Sequence, residues 1–193
     1  MRVSEADILF IPGLGGSGPG HWQHRWAEKM STGRTVDLPD LHKPALDAWI
    51  DTIADAIAAS ERPIVLIGHS LGSLAAVHAM AQRDQTAAIG QNTASPVRAA
   101  FLVAPPSERV LRTIGEIDPA FADIPAAPLP CPSLVVASRN DAYASMEETE
   151  SMALDWGAQI VDAGEAGHIN ADSGHGPWPE GLMRLATFMA RLK

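Results

Sequence analysis

Short apolar runs alternate along the chain with stretches in which apolar residues recur every three or four positions. The runs predict β-strands and the wider spacing predicts amphipathic helices. The predicted strands are residues 7–12, 34–38, 63–67, 99–103, 133–137 and 159–162. The predicted helices are residues 22–30, 45–60, 70–84, 146–156 and 180–192.

Strands that alternate with helices favour a parallel sheet covered by helices on both faces. We predict an α/β fold, a three-layer α/β/α sandwich whose six-stranded parallel sheet has the order 2-1-3-4-5-6 in chain numbering. Residues 1–193 are expected to form one domain. Residues 105–130 contain six prolines and no convincing period. They are interpreted as a long excursion that could partly cover a site and holds one short helix near residues 107–114.

The third predicted strand runs directly into Gly68-His69-Ser70-Leu71-Gly72, and a helix-permissive stretch follows. Glycines on both sides of the serine allow the strand and helix backbones to approach closely around a sharp turn. Such a turn, a nucleophile elbow, lifts the Ser70 hydroxyl clear of the sheet. The alternative is an ordinary strand-to-helix turn in which a serine caps the helix.

A serine nucleophile needs a base within hydrogen-bond reach and a group that orients the base. The carboxyl ends of parallel strands meet at one edge of a sheet. Asp141 follows the fifth predicted strand, and His168 lies in a glycine-flanked loop after the sixth. Ser70, Asp141 and His168 therefore predict nucleophile, orienting acid and base, in the chain order typical of α/β-hydrolases.

Each of these residues has alternatives. Asp141 could instead cap the following helix, and Asp118 and Asp162 are rivals for the acid. His168 could be a loop histidine bonded to backbone, and His175 is its rival. His69 is expected to pack beside the nucleophile and not to act as the base.

An oxyanion hole requires two backbone N–H groups directed at the developing charge. The N–H of Leu71, directly after the serine, is predicted to be one. The loop after the first strand, residues 12–18, should supply the other, and Leu14 is the residue chosen.

Substrate contacts are predicted from residues near the strand ends. The candidates for an acyl or alcohol pocket are Gly13, His69, His21, Trp22, Trp178 and the prolines at 105 and 106. The two tryptophans could equally fill the core.

The glycines of residues 13–18 also match the G-x-G-x-x-G pattern of dinucleotide-binding folds, with an aspartate about twenty residues later. A helix should already be running at the third glycine of that pattern, yet Pro19-Gly20 follows it, and both residues break helices. The dinucleotide reading would also leave the Ser-Asp-His set unexplained.

Composition limits the partners, the cellular location and the cofactors that can be expected. The net charge of −9 disfavours nucleic acid and anionic membrane surfaces as partners. The N-terminus has no apolar signal-peptide core, and Cys131 is the single cysteine, so a cytoplasmic protein without an internal disulfide is expected. No His/Cys spacing indicates zinc. We expect no metal and no organic cofactor; any protein partner is unknown.

Four segments together, Pro-Gly-Leu-Gly-Gly, Gly-His-Ser-Leu-Gly, Ala-Ser-Arg-Asn-Asp and Gly-His-Ile-Asn, resemble the small serine hydrolases related to retinoblastoma-binding protein nine, most closely their bacterial branch. The likeness runs from about Ile8 to Phe188. It implies a reduced α/β-hydrolase fold, with Ser70 as nucleophile, His168 as base and Asp141 as acid.

The function expected from the sequence is hydrolysis of a small carboxylic ester through an acyl-enzyme intermediate. A thioesterase, an amidase or a lactonase would use the same three residues. A non-enzymatic interaction protein that keeps a hydrolase scaffold is the alternative from another class, because fold does not imply function.

Overall fold

The computed structural model describes residues 1–88 and 96–192. Within those residues, six parallel strands form one sheet in the order β2-β1-β3-β4-β5-β6, which confirms the predicted order. The strands are β1 (Asp7–Ile11), β2 (Gly33–Thr35), β3 (Ile64–His69), β4 (Val97–Val103), β5 (Ser133–Ala137) and β6 (Gln159–Asp162). The helices are α1 (Trp22–Lys29), α2 (Leu46–Ala58), α3 (Leu71–Ala88), α4 (Glu108–Leu111), α5 (Met146–Asp155) and α6 (Pro179–Ala190).

Two hydrophobic cores lie on opposite faces of the sheet, because successive side chains of a strand point to opposite faces. In β1, Leu9 belongs to the core that α2, α3 and α5 cover, with Trp49 of α2 at its centre. Phe10 belongs to the core under α1 and α6, where it joins Trp26 and Phe188. The result is the three-layer α/β/α sandwich of a reduced α/β-hydrolase fold.

Several element boundaries differ from the predictions, and those of β2 and β3 have a clear physical reason. The second strand ends at Thr35 and not at residue 38, because β2 is an edge strand that pairs only with β1. Beyond it, the Val36 N–H still donates to the Phe10 carbonyl, 2.8 Å away. The third strand runs to His69, two residues further than predicted, because backbone pairing with β4 continues up to the turn.

The excursion at residues 105–130 carries α4 and a 3₁₀ helix, Pro119–Ala122. It begins directly after β4, at the edge where the carboxyl ends of the strands meet, and so it contributes to the site described below. Among the helices that the structure describes, none is long and apolar enough to cross a lipid bilayer.

Candidate active site

Ser70 occupies the sharp turn between β3 and α3. Its φ angle is 53°, in the left-handed region that residues with a side chain rarely adopt. A Cβ atom at position 72 would collide with the carbonyl oxygen of Ile11, so only glycine allows α3 to cross β1 this closely. The Ser70 N–H donates to the Val103 carbonyl at 2.9 Å, which ties the turn to β4. Close backbone packing therefore holds the hydroxyl at the edge of the sheet.

The three residues predicted to act together are joined by consecutive hydrogen bonds between their side chains. The Ser70 Oγ is 2.8 Å from Nε2 of His168. The other ring nitrogen, Nδ1, is 3.0 Å from a carboxylate oxygen of Asp141. The side chains of His168 and Asp141 are 11% and 3% exposed, so water screens this pair little. A neutral imidazole fits these contacts with its proton on Nδ1 and its lone pair facing the serine hydroxyl.

Long-range hydrogen bonds hold the loop that carries His168. The Gly167 N–H donates to the side-chain oxygen of Asn140 at 2.7 Å, and the indole N–H of Trp22 donates to the Ile169 carbonyl at 2.8 Å. Nε2 of His69 lies 2.9 Å from the carbonyl of His168 itself. Ile169 has a φ of 48°, which is strained for a β-branched residue. The surrounding contacts therefore compensate for an unfavourable backbone conformation next to His168.

The rival residues lie in other contacts. Asp118 accepts hydrogen bonds from the backbone of Leu46 and Ala120, so it links two helix starts. Asp162 pairs with the guanidinium of Arg139. His175 contacts the Ser173 hydroxyl at 3.1 Å. For none of these three does the structure record a contact with Ser70 or His168 within its described residues.

Leu71 and Leu14, whose backbone amides are predicted to form an oxyanion hole, both line the cavity that contains Ser70. Leu71 is the first residue of α3, and the first N–H groups of a helix have no partner inside it. The loop after β1 passes directly above: a Cβ built on Gly13 would lie 3.0 Å from Cβ of Ser70 and 3.5 Å from the Leu71 nitrogen. Leu14 follows in the turn closed by the bond from the Gly16 N–H to the Gly13 carbonyl.

A cavity of about 430 Å³ opens beside Ser70. Of the predicted substrate contacts, Gly13, His21 and His69 lie on its wall. Tyr143 also lines it, with its ring centroid 4.3 Å from that of His168. The remaining wall comes from the glycine-rich loop, from the excursion after β4 and from the residues that follow His168; it includes Leu14, Pro106, Leu111, Ile114, Ile117, Asn170, Ala171 and Asp172.

Trp22 and Trp178 do not lie on the wall of this cavity, as predicted for substrate contacts, but fill the core, which was the alternative. Both side chains are buried in the core under α1 and α6, where their ring centroids are 5.0 Å apart and Trp178 stacks on Trp26. Aromatic rings of this size gain more from full burial than from a place on a cavity wall. Trp22 supports the loop of His168 from below, through the indole hydrogen bond to Ile169.

Burial keeps the two histidines beside His168 neutral at neutral pH. Desolvation, with a smaller contribution from the charge of nearby His168, lowers the pKa of His21 to about 4. Desolvation also lowers the pKa of His69 well below its usual value. Nδ1 of His21 accepts from the Gln23 N–H and caps α1. One nitrogen of each ring therefore has a structural contact, Nδ1 of His21 with the Gln23 N–H and Nε2 of His69 with the His168 carbonyl.

Three residues of the site escaped the sequence argument. Asn140 stood next to Asp141 in a quoted motif, yet nothing local indicates that its side chain accepts from the Gly167 N–H. Tyr143 was missed because its tilted ring contact with His168 joins residues far apart in the sequence. Ile114 had a signal: Leu111, Ile114 and Ile117 recur every three residues inside a segment read as lacking a period.

A family model described as serine hydrolase matches residues 8–187 of the chain. A structure from Pectobacterium atrosepticum described as a YdeN-like hydrolase is 34% identical, has a TM-score of 0.80, and its match covers 97% of this chain and 93% of that one. The ydeN gene product of B. subtilis is 20% identical with a TM-score of 0.73, over 96% of this chain and 100% of that one. The esterase domain of a Rhodothermus marinus protein is 15% identical with a TM-score of 0.67, over 95% and 87%. The last two show a shared fold alone. No curated protein matches the chain.

Proposed function

The chain belongs to the serine hydrolase family, and we propose that it cleaves small carboxylic esters through Ser70, His168 and Asp141. Membership of this family makes the protein an enzyme. The observation that carries the proposal is the 2.8 Å contact between the Ser70 Oγ and Nε2 of His168, with Asp141 3.0 Å behind the ring. This geometry is what an activated serine requires.

In the first step, Nε2 of His168 accepts the proton of the Ser70 hydroxyl while Oγ attacks the ester carbonyl carbon. The carbonyl π bond breaks, and its electron pair becomes the oxyanion. The N–H groups of Leu71 and Leu14 donate to that oxyanion, which is worth more in a water-poor site than in bulk solvent. Asp141 accepts the Nδ1–H and stabilises the imidazolium without taking the proton.

The tetrahedral intermediate then collapses. The carbonyl re-forms, the bond to the alcohol oxygen breaks, and Nε2–H of His168 gives its proton to the leaving alcohol. A water molecule enters, loses a proton to the same nitrogen and attacks the acyl-enzyme. Ser70 leaves with the proton returned from His168, and the carboxylic acid is released.

We further propose that the chain lies close to the retinoblastoma-binding protein nine group within the serine hydrolases, with the whole chain as one catalytic domain. The four quoted segments support the first part. Three of these segments, the glycine-rich loop, the elbow and the histidine loop, contribute to the wall of one cavity. The fourth, the turn that carries Asp141, contacts the histidine loop.

The test is labelling with a fluorophosphonate, which reacts with activated serines, followed by peptide mass spectrometry. We expect one adduct on the peptide that contains Ser70, no adduct in Ser70→Ala, and ester turnover lowered by about four orders of magnitude or more in that variant. Unchanged turnover in folded Ser70→Ala would refute the proposal. Paired p-nitrophenyl esters, thioesters and anilides with one acyl group would separate esterase from thioesterase and amidase.

A further inference from the structure

We propose that Leu111, Ile114 and Ile117, here called the apolar shelf, bind the acyl chain of the substrate, and that the substrates are esters of uncharged, apolar carboxylic acids. This inference rests on the proposed function. It specifies which wall of the cavity binds the acyl part of the ester and which binds the alcohol part. The acyl part is released as the carboxylic acid, so the wall that binds it determines which acids are produced.

The walls of the cavity differ in chemistry. The excursion after β4 contributes only apolar side chains, those of the shelf together with Pro106. The segment after His168 contributes Asn170 and Asp172, which are polar. A substrate with an apolar part and a polar part therefore has one favoured orientation in this cavity.

The apolar shelf is built by tight turns. The N–H groups of Thr113 and Ile114 each bond the carbonyl three residues earlier. These turns place Ile114 near the face of Leu111. Ile117 lies beyond the turns and lines the same cavity. Leu111 and Ile117 are 2% and 5% exposed and pack into the core, whereas Ile114 is only partly buried. Two residues anchor the shelf, and Ile114 presents the surface that a substrate can touch.

Both ends of the shelf segment are fastened to the rest of the fold. At one end, the Ser107 N–H donates to the Tyr143 carbonyl at 3.0 Å. At the other, the Asp118 N–H donates to the Pro44 carbonyl at 3.0 Å, and its carboxylate accepts from the Leu46 N–H at 3.1 Å. The shelf is therefore a preformed wall, and binding an acyl chain there costs little ordering.

Proton transfer decides which part of the ester lies where. The leaving alcohol takes its proton from Nε2 of His168, so the alcohol must lie on the His168 side of the carbonyl. The segment from Asn170 to Asp172 begins two residues after His168 and also lines the cavity, so the alcohol is assigned to this segment. The acyl chain extends from the other side of the carbonyl, and the apolar shelf is the wall left to receive it.

Charge restricts the acyl group further. Among the described residues that line the cavity there is no lysine or arginine, and Asp172 is the only acidic one. His21 and His69 are neutral at neutral pH because burial lowers the pKa of each. A carboxylate on the acyl chain would lose its hydration without gaining a cation. Dicarboxylic acid monoesters should be poor substrates.

The experiment compares two ester series in the full-length protein. The acyl series is p-nitrophenyl acetate, butyrate, hexanoate and hemisuccinate; the alcohol series is ethyl, butyl and hexyl acetate. Each buried methylene contributes about 0.8 kcal/mol, so we expect kcat/KM to rise about tenfold from acetate to butyrate. Hemisuccinate should be cleaved at least about tenfold more slowly than butyrate.

Two variants of Ile114 test the shelf. Ile114→Trp fills it, so the ratio of kcat/KM for butyrate or hexanoate to kcat/KM for acetate should fall about tenfold or more. Ile114→Ala removes contact atoms and should flatten the preference for butyrate over acetate to about threefold. Ile160→Ala, which truncates an exposed isoleucine on β6, is the matched control and should keep the wild-type pattern.

Three results would overturn the inference. One is an Ile114→Trp variant that loses the long alcohols and keeps the long acyl chains, because the two walls would then be reversed. Another is an acyl profile unchanged by both Ile114 variants, and the third is hemisuccinate cleaved as fast as butyrate. Fluorophosphonate labelling distinguishes failure of the shelf from failure of the proposed function. If Ser70 is labelled, any of these results refutes the shelf alone. If Ser70 is not labelled and no ester is cleaved, the proposed function is refuted as well.

Discussion

The elbow at Ser70 and the loop that carries His168 meet at the 2.8 Å contact between the two side chains, yet different forces hold them. The elbow depends on backbone contact: α3 crosses β1 so closely that position 72 has no room for a Cβ atom. Its bonds to β4, from the Ser70 N–H and the Ser73 hydroxyl to the Val103 carbonyl, come from the turn and from the start of α3.

The histidine loop depends on side chains that reach it from distant parts of the chain. Asn140, Trp22 and His69 each make one hydrogen bond to its backbone, across 27, 147 and 99 residues of sequence. A turn held by sterics tolerates no substitution at its glycines, whereas a loop held by separate hydrogen bonds loses its alignment gradually. Damage to the elbow should appear as lost folding, and damage to the loop as lost catalysis.

The largest expected effect is that of Gly72→Ala. The new methyl group meets backbone oxygens that cannot rotate away, so the free energy of unfolding should fall by about 3 kcal/mol. Urea denaturation measures this change. Gly115→Ala is the control, because a Cβ there has no neighbour within 4 Å. Equal stability of the two variants would mean that the close crossing of α3 and β1 is not required.

The second prediction concerns the loss of folding stability at acidic pH, which involves two histidines located where the elbow and the histidine loop meet. His21 lies against His69, with ring centroids 4.6 Å apart, and His69 bonds to the loop. The pKa of His21 is about 4 in the folded protein and has its ordinary value of 6.5 in the unfolded chain. Between these values the unfolded chain binds more protons, so stability is unaffected above pH 6.5 and falls as the pH drops towards 4.

Protonation of His21 alone lowers the free energy of unfolding by about 2 kcal/mol between pH 7 and pH 5. His21→Asn removes the titrating group, and asparagine is a good helix cap in its place. Unfolding free energies of the two proteins at several pH values measure the difference. The slope below pH 6.5 should be shallower in the variant, with the remainder coming from His69, whose pKa is lowered as well. Parallel curves would contradict the assignment to His21.

The smallest expected effect is at Asn140. Its side-chain oxygen accepts from the Gly167 N–H and from the Ser138 hydroxyl, so an acceptor is all that the position needs. Asn140→Leu should lower kcat about tenfold with little change in KM, because the base is misaligned while the cavity is intact. Asn140→Asp restores the acceptor and should stay within about threefold of wild type.

Melting temperatures distinguish alignment from stability at this position. Asn140 is exposed to solvent, so both variants should unfold close to the wild-type temperature. A leucine variant that loses stability and activity together, or an aspartate variant that fails to recover kcat, would show that Asn140 does not position the histidine loop.

The strand order was predictable because each strand and helix carries its own apolar period, and the right-handed crossover rule leaves few ways to connect them. Ser70, Asp141 and His168 could be proposed for the site because each follows a strand at the edge where carboxyl ends meet. Their contacts agree with that proposal, while their catalytic roles stay predictions until the labelling experiment is done.

The errors have one physical origin. The sequence shows that Trp22 and Trp178 are large and apolar, but only packing decides whether such a ring fills a core or lines a cavity, and here both are buried. The shelf at Leu111, Ile114 and Ile117 was missed because a spacing of three over so short a segment does not distinguish a helix from a series of turns.

By itself, the sequence determined the fold class, the order of the strands and the turn at Ser70, since these follow from local periodicity and from residues adjacent in the chain. The tertiary structure alone decided which side chains hold the loop of His168, which histidines burial keeps neutral, and which wall of the cavity is apolar. Those properties depend on contacts between residues far apart in sequence, whose partners no local pattern identifies.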